Sequence, residues 1–376
     1  MITVNIIKGK NEILKYEKIW NEIFYARENE PSASLEWTNA LLKTHLKEKD
    51  EFLLMVIKDD GEIAGIVPLI IHSQRKFGQT FINIYPISEY YNTHSDILLK
   101  KFSEKFIHAF TMSLFRLEAK WDRFTMKHLI DSNPIIENIE NSLKEFRVKY
   151  NCRREAPSFF LTMENSYDDY LKKRSANFRR NLKRIKKKIT AAGDIKFYKV
   201  ADFSNINNAY RALIEVEKKS WKHAHGTAIS SIKRQEEFYK ELCISTYSAG
   251  WLHLLFLYLN NKPIAYNMGL LKDNKYYYIK TSFDNDLGRL GPSKLLRAEL
   301  MKDLINDGIR YFDFLGEPYE WKRQWTEELQ LHKSLEIFNN TLKGRLCSIY
   351  RTFKNRKNGR SGEKLIQYYN PKDLRP

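Results

Sequence analysis

Cysteine is scarce: Cys152, Cys243 and Cys347 are the whole complement, odd in number and far apart. They offer neither a disulfide framework nor a metal-ligand pair. A stapled secreted scaffold and a zinc module are both excluded, and a reducing, cytoplasmic setting is expected. Glycine (15) and proline (10) are sparse for 376 residues, which excludes collagen-like and low-complexity chains. Long apolar runs are missing as well. The best one, 251–259, has the length of a strand and falls far short of the roughly 20 residues of a membrane span. The N-terminus, MITVNIIKGKNE, has no basic stretch followed by an apolar block, so no signal peptide is expected.

Acidic residues are outnumbered, 46 against 64 Lys+Arg, for a net charge of +18. The imbalance is local. Residues 171–189 (LKKRSANFRRNLKRIKKKI) hold ten basic residues and no acidic one, and residues 341–376 hold ten basic against Glu363 and Asp373. The rest of the chain is charge-balanced, which excludes a diffusely basic, histone-like protein. With 43% hydrophobic and 14% aromatic residues, the chain can bury sizeable cores, and its length predicts two domains.

A pattern recurs. Phe52–Ile57, a turn at Asp59-Asp60-Gly61 and a return from Ile63-Ala64 to Ile71 read as a hairpin of buried strands. Two hundred residues on, His253–Leu259, Asn260-Asn261-Lys262-Pro263 and Ile264-Ala265 to Leu271 repeat it. Helical segments precede each hairpin, at 11–26 and 35–46 and again at 204–221 and 231–247. The fold class expected is α/β, a mixed sheet with flanking helices, used twice. Leu171, Phe178, Leu182, Ile185 and Ile189 place the 166–193 segment on a basic amphipathic helix, stopped by Gly193 and expected to bridge the two units.

After the second hairpin, Lys275–Phe283 reads as a strand. The loop from Asp284 to Gly291 leads into a helix that opens at Pro292 and ends at Gly308. A loop ending at a helix N-terminus presents unpaired N–H groups and a positive dipole end, which suit phosphate oxygens. Gly288 and Gly291 would allow close approach, Arg289 and Lys294 would add charge, and Pro292 and Ser293 would begin the helix.

Taken in order, several segments resemble the double-GNAT, FemAB-type branch of the GNAT acyltransferases, often labelled BioF2-like or CelD-like. They are Ser175–Arg184, Ser220-Trp221-Lys222 with Gly226-Thr227-Ala228, Lys262-Pro263-Ile264-Ala265, Gly291-Pro292-Ser293-Lys294-Leu295-Leu296, and Asp313-Phe314-Leu315-Gly316 followed by Trp321-Lys322-Arg323-Gln324-Trp325. The resemblance covers about 35–340. This chain departs from the pattern at Ser293, where glycine is usual, and at Trp321, where tyrosine is common. Its first half shows no phosphate loop after Ile71, because Gln74–Gly78 opens no helix. The resemblance therefore places the cofactor on the second unit only.

What the resemblance implies is tandem GNAT-like units, 1–165 and 194–340, flanking the bridging helix and followed by a basic tail, 341–376. The implied reaction moves an acyl group, acetyl first, from acyl-CoA to an amine or hydroxyl of a sugar, nucleotide-sugar or polysaccharide metabolite, with no metal. Asp313, Lys322, His225 and Glu217 are the catalytic candidates, and Asp313 is the first choice of base. Gly288, Arg289, Gly291, Pro292, Ser293 and Lys294 would hold the cofactor, and Gly291→Glu is expected to block it while sparing the fold. Tyr91, Trp221, Tyr266 and Trp325 would contact the acceptor. Two alternatives stand beside this reading. One is an aminoacyl-tRNA-dependent transferase on peptidoglycan precursors. The other is a non-catalytic RNA- or membrane-binding protein with the same fold. The helix 171–189 could meet an anionic partner or tRNA, and the tail a membrane surface.

Overall fold

The computed structural model describes residues 1–353 other than 77, 92, 119 and 120. Contacts divide the chain into two compact units. The first takes 1–42, 46–157 and the described residues from 330 on; the second takes 43–45 and 158–329.

In the first unit, strands β1 (Ile2–Lys8), β2 (Asp50–Asp59), β3 (Glu62–Lys76), β4 (Gln79–Pro86), β6 (Arg123–Ile130), β15 (His332–Phe338) and β7 (Tyr150–Arg154) lie side by side in that order, and the short β5 (Leu98–Leu99) pairs with β3. Helices α1 (Glu17–Tyr25), α2 (Leu35–Thr44), α3 (Glu104–Phe115) and α4 (Pro134–Glu145) accompany it. Leu53, Met55, Ile57, Val67 and Leu69 from the hairpin pack with Phe110, Leu114, Ile139 and Leu143 from α3 and α4.

The second unit has β8 (Ser158–Thr162), α5 (Tyr167–Lys172), α6 (Ala176–Ala192), β9 (Ile195–Lys199), α7 (Ile206–Lys218), α8 (Trp221–Ala224), α9 (Lys233–Ser248), β10 (Leu252–Leu259), β11 (Lys262–Lys272), β12 (Lys275–Phe283), α10 (Pro292–Asn306), β13 (Tyr311–Asp313) and α11 (Glu320–Arg323). Its sheet runs β14 (Leu329–Gln330), β8, β13, β12, β11, β10, β9.

The hairpins of the two units match in detail. In β2–β3, Ile57 pairs with Gly65 and Lys58 with Ile63; in β10–β11, Leu257 pairs with Ala265 and Tyr258 with Pro263. Each register shift falls at the same step, and the offset is 200 residues. The turns also match: Asp60 and Gly61, then Asn260 and Asn261, all have positive φ, as a tight two-residue hairpin turn requires.

The structure corrects the expected boundaries at three places. β8 pairs with β13 in the second sheet, so the second unit starts near 158. β15 pairs with both β6 and β7, and its Leu335 and Ile337 join the first core, so the second unit stops near 329. The basic helix α6 is no bridge, because Phe178, Leu182, Ile185 and Ile189 are buried in the second core with Leu295 and Leu296 of α10. Hydrophobic spacing identifies a strand or a helical stripe, but not which sheet edge or core accepts it. Of the tail, 342–353 is helical, and the remainder of 341–376 lies outside the described residues.

Each unit buries a histidine in its neutral form. Burial, and then the nearby His94 and His128, push His332 down to about 3; burial and Lys199 push His253 down to about 3. Asp96 runs the other way, raised to about 6 by burial despite hydrogen bonds from the Ile97 N–H and Asn133. A depressed histidine contributes stability above its unfolded value, near 6.5, and loses it as pH falls. Each histidine then costs about 1.4 kcal/mol per pH unit. Protonation of Asp96 relieves its own cost between about 6 and 4 but offsets only one of the two. The urea midpoint is therefore expected to fall steadily from pH 6.5 to 4.5. A flat profile would show that these rings are not held neutral.

Candidate active site

The second sheet opens beside β12. Parallel pairing with β13 covers only Lys275, Tyr276 and Tyr277. Beyond them, Met268 faces Lys280 and Gly269 faces Tyr278, so Ile279 is an extra residue that bulges β12. β13 ends at Asp313, and the chain turns away through Leu315 (φ 46°) and Gly316 (φ 54°). The rings of Tyr278, Phe314 and Trp321 line this split, with centroids 6.0 to 6.2 Å apart.

From the end of β12 the chain runs straight to the N-terminus of α10. The Asp284 carboxylate accepts from the Asp286 N–H (3.1 Å) and starts a tight 3₁₀ turn, Asn285–Leu290. Gly291 follows in the left-handed region, and Pro292 is the first helical residue. Gly288 and Gly291 are half-buried, Arg289 is exposed and Pro292 is buried. Ser293 Oγ accepts from Arg297, and Lys294 Nζ donates to Gln324 Oε1 (2.8 Å). Gly291 also departs from expectation. At φ 74° a side chain is strained, and its Cβ would lie 2.9 Å from Ile185 Cδ1, so Gly291→Glu damages the fold as well as the loop.

Arg297 is a feature the sequence did not single out. It is 5% exposed, yet among the described residues no carboxylate pairs with it. Its Nε and Nη2 donate to Tyr278 Oη, both at 3.2 Å, and its guanidinium lies 4.1 Å from the Trp321 ring centre. Tyr278 in turn donates to Asn267 Oδ1 (2.6 Å). Lys322 is buried nearby. Desolvation, despite Asp313, lowers it to about 8, and its Nζ donates to the carbonyls of Leu315 and Glu317, clamping the turn after β13.

The four catalytic candidates are all in the second unit but differ in what they can do. Asp313 is fully buried; Oδ1 accepts from the Leu315 N–H (2.8 Å) and Oδ2 lies 3.8 Å from Lys275 Nζ. Glu217 is also fully buried, accepting from Tyr266 Oη (2.6 Å) and the Ile229 N–H (2.9 Å). These carboxylates, with Lys322, fix backbone turns. His225 is exposed, and its Nδ1 lies 2.9 Å from the Trp221 carbonyl, which can only accept. That bond places the proton on Nδ1 and leaves Nε2 as a free acceptor.

Of the acceptor-contact candidates, Trp221 is 48% exposed and stacks edge-on against His225. Tyr266 is buried on Glu217. Trp325 is a core residue, 1% exposed and packed on Phe178, and its carbonyl accepts from Tyr170 Oη. Tyr91 belongs to the first unit and is half-buried. Among the described residues, no group of three or more His, Cys, Asp or Glu side chains could hold a metal ion, and no helix is long and apolar enough to cross a membrane.

A sheet split beside a bulged strand, continued into a helix N-terminus, is the arrangement of a GNAT-type acyltransferase. Residues 176–323 match the model of an acetyltransferase (GNAT) domain. The fold is that of FemX (TM-score 0.62, 10% identity, covering 92% of this chain and all of that one). It is also that of a conserved protein of unknown function from Bacteroides thetaiotaomicron (0.57, 11%, 89% and 100%). A third likeness is to the C-terminal DUF2156 domain of a candidate lysylphosphatidylglycerol synthetase from Agrobacterium fabrum (0.56, 10%, 90% and 95%). No curated protein matches. Residues 176–323 are thus a GNAT-type acetyltransferase domain by sequence, set in a chain that shares the fold of FemX.

Proposed function

We propose that the second unit transfers an acyl group, acetyl first, from acyl-CoA to an amine or hydroxyl of a sugar or polysaccharide metabolite. The observation that carries this is the split beside β12 leading into α10, with the uncompensated Arg297 at its edge. In the split, β12 has backbone donors that β13 does not take, and these suit a thioester carbonyl as negative charge develops on it. The donor's phosphates would lie at the loop 284–291 and the start of α10. The acceptor attacks the carbonyl carbon, the C–S bond breaks and the thiolate departs. The acceptor's proton passes to His225 Nε2, the one candidate base atom facing solvent.

Calorimetry with acetyl-CoA tests donor binding, and His225→Gln tests the base. The variant is expected to keep its acetyl-CoA affinity while kcat falls by about 10²-fold or more. An unchanged kcat would remove His225 from the chemistry.

The outer face of α6 supports a second reading. Arg180, Lys183, Arg184, Lys186, Lys187 and Lys188 are all exposed, and among the described residues none makes an ion pair. A charged track of this kind suits an aminoacyl-tRNA donor. In that case tRNA would bind with an affinity falling steeply as salt rises, and acetyl-CoA would not bind.

A further inference from the structure

We infer that the face of β12 opposite α10 carries a subsite for an oxyanion, a carboxylate or phosphate on the acceptor, built from Lys280, Ser282 and Lys222. This rests on reading the split beside β12 as the transfer site.

Side chains alternate across a strand. Thr281 turns toward Asn267, to which it donates (2.9 Å), on the side where Tyr278 meets Arg297 of α10. Lys280 and Ser282 therefore point the other way, toward α7, α8 and α9, where Tyr266 holds Glu217. A donor lying along α10 leaves this second face to the acceptor.

That face has more positive charge than it can use. Lys222 reaches from α8 to the Thr281 carbonyl, with its Nζ 3.7 Å from Glu217 Oε1. Lys280 finds no hydrogen bond and no ion pair among the described residues, only the face of Tyr239, 5.2 Å from its Nζ. Among the described residues Glu217 is the carboxylate that acts on both ammonium groups, and two of its contacts are already taken by Tyr266 and Ile229. Beside them, Ser282 Oγ is buried (3% exposed) and has no partner among the described residues. Two lysines sharing one carboxylate, with an idle hydroxyl on the same face of β12, form a cradle for one anionic oxygen group. Trp221, the residue before Lys222, is exposed and offers a flat apolar surface to the rest of the acceptor. Desolvation acts against both lysine charges, lowering Lys222 to about 8, and an incoming anion would reverse that pressure.

The test titrates inorganic phosphate and, separately, acetate into donor-free protein and follows thermal stabilisation. One or both should stabilise the wild type. Lys280→Met should weaken the response by roughly tenfold or more, and Lys280→Arg should retain it. The phosphate and acetate arms tell which oxyanion the acceptor carries. No stabilisation of the wild type, or an undiminished response in Lys280→Met, overturns the subsite. Acetyl-CoA affinity is measured on the same samples and should be equal in all three. If acetyl-CoA fails to bind while the anion response depends on Lys280, the donor assignment falls and the subsite stands.

Discussion

Arg297→Gln is expected to weaken acetyl-CoA binding by about 10- to 100-fold while leaving the ligand-free protein as stable as the wild type, or more so. Arginine stays protonated at any relevant pH, so at 5% exposure a full charge sits inside the unit. Its hydrogen bonds go to neutral hydroxyls, Tyr278 Oη and Ser293 Oγ, and its flat faces to Trp321 and Trp325. These contacts hold the group in place without neutralising it. Its field also bears on its neighbours, opposing the charge of both Lys294 and Lys322. A fold alone gains little from such an arrangement, because an unpaired buried charge costs several kcal/mol. A site that awaits a diphosphate gains a pre-positioned fork at the start of α10. Calorimetry and a melting curve on one pair of proteins decide the matter. Unchanged affinity together with a melting point several degrees lower would make Arg297 a structural residue and move the donor elsewhere.

What the sequence made legible depended on whether the signal was local. The hairpins at 52–71 and 253–271 were plain because alternating buried strands and turn residues lie within twenty positions, and the structure reproduces the pairing down to the register shift. The strand–loop–helix from Lys275 to Asn306 was legible for the same reason. Arg297 was not. It sits within the apolar stripe of α10, and nothing in the sequence tells that Tyr278 and Trp321, nineteen and twenty-four residues away, close around it. The Lys222–Lys280–Glu217 cluster was hidden likewise, since it joins α7, α8 and β12 only in three dimensions. Asp313 and Trp325 stood out as motif residues, but nothing local told that both are buried, Asp313 on the Leu315 N–H and Trp325 against Phe178.

The second large effect concerns the bulge itself. Gly269→Val is expected to destabilise the second unit by about 3 kcal/mol or more, the upper end of what overpacking costs. Gly269 faces Tyr278 across the bulge, and a Cβ there would lie 2.1 Å from Cζ and 2.2 Å from Oη of Tyr276. That ring has no room to yield. It is fully buried, with centroids 4.9 Å from Phe312 and 5.5 Å from His253. Its hydroxyl finds no hydrogen-bond partner among the described residues, so the phenol stays protonated and adds volume without adding a bond. Tyr276→Phe should therefore be nearly neutral in stability, since it removes an unsatisfied buried group. Tyr276→Leu combined with Gly269→Ala should recover much of what Gly269→Ala loses by itself, because the two share one clash. Urea unfolding of the four proteins closes the cycle. Additive losses would mean that Gly269 is required for the backbone of the bulge, and not for the space that Tyr276 fills above it.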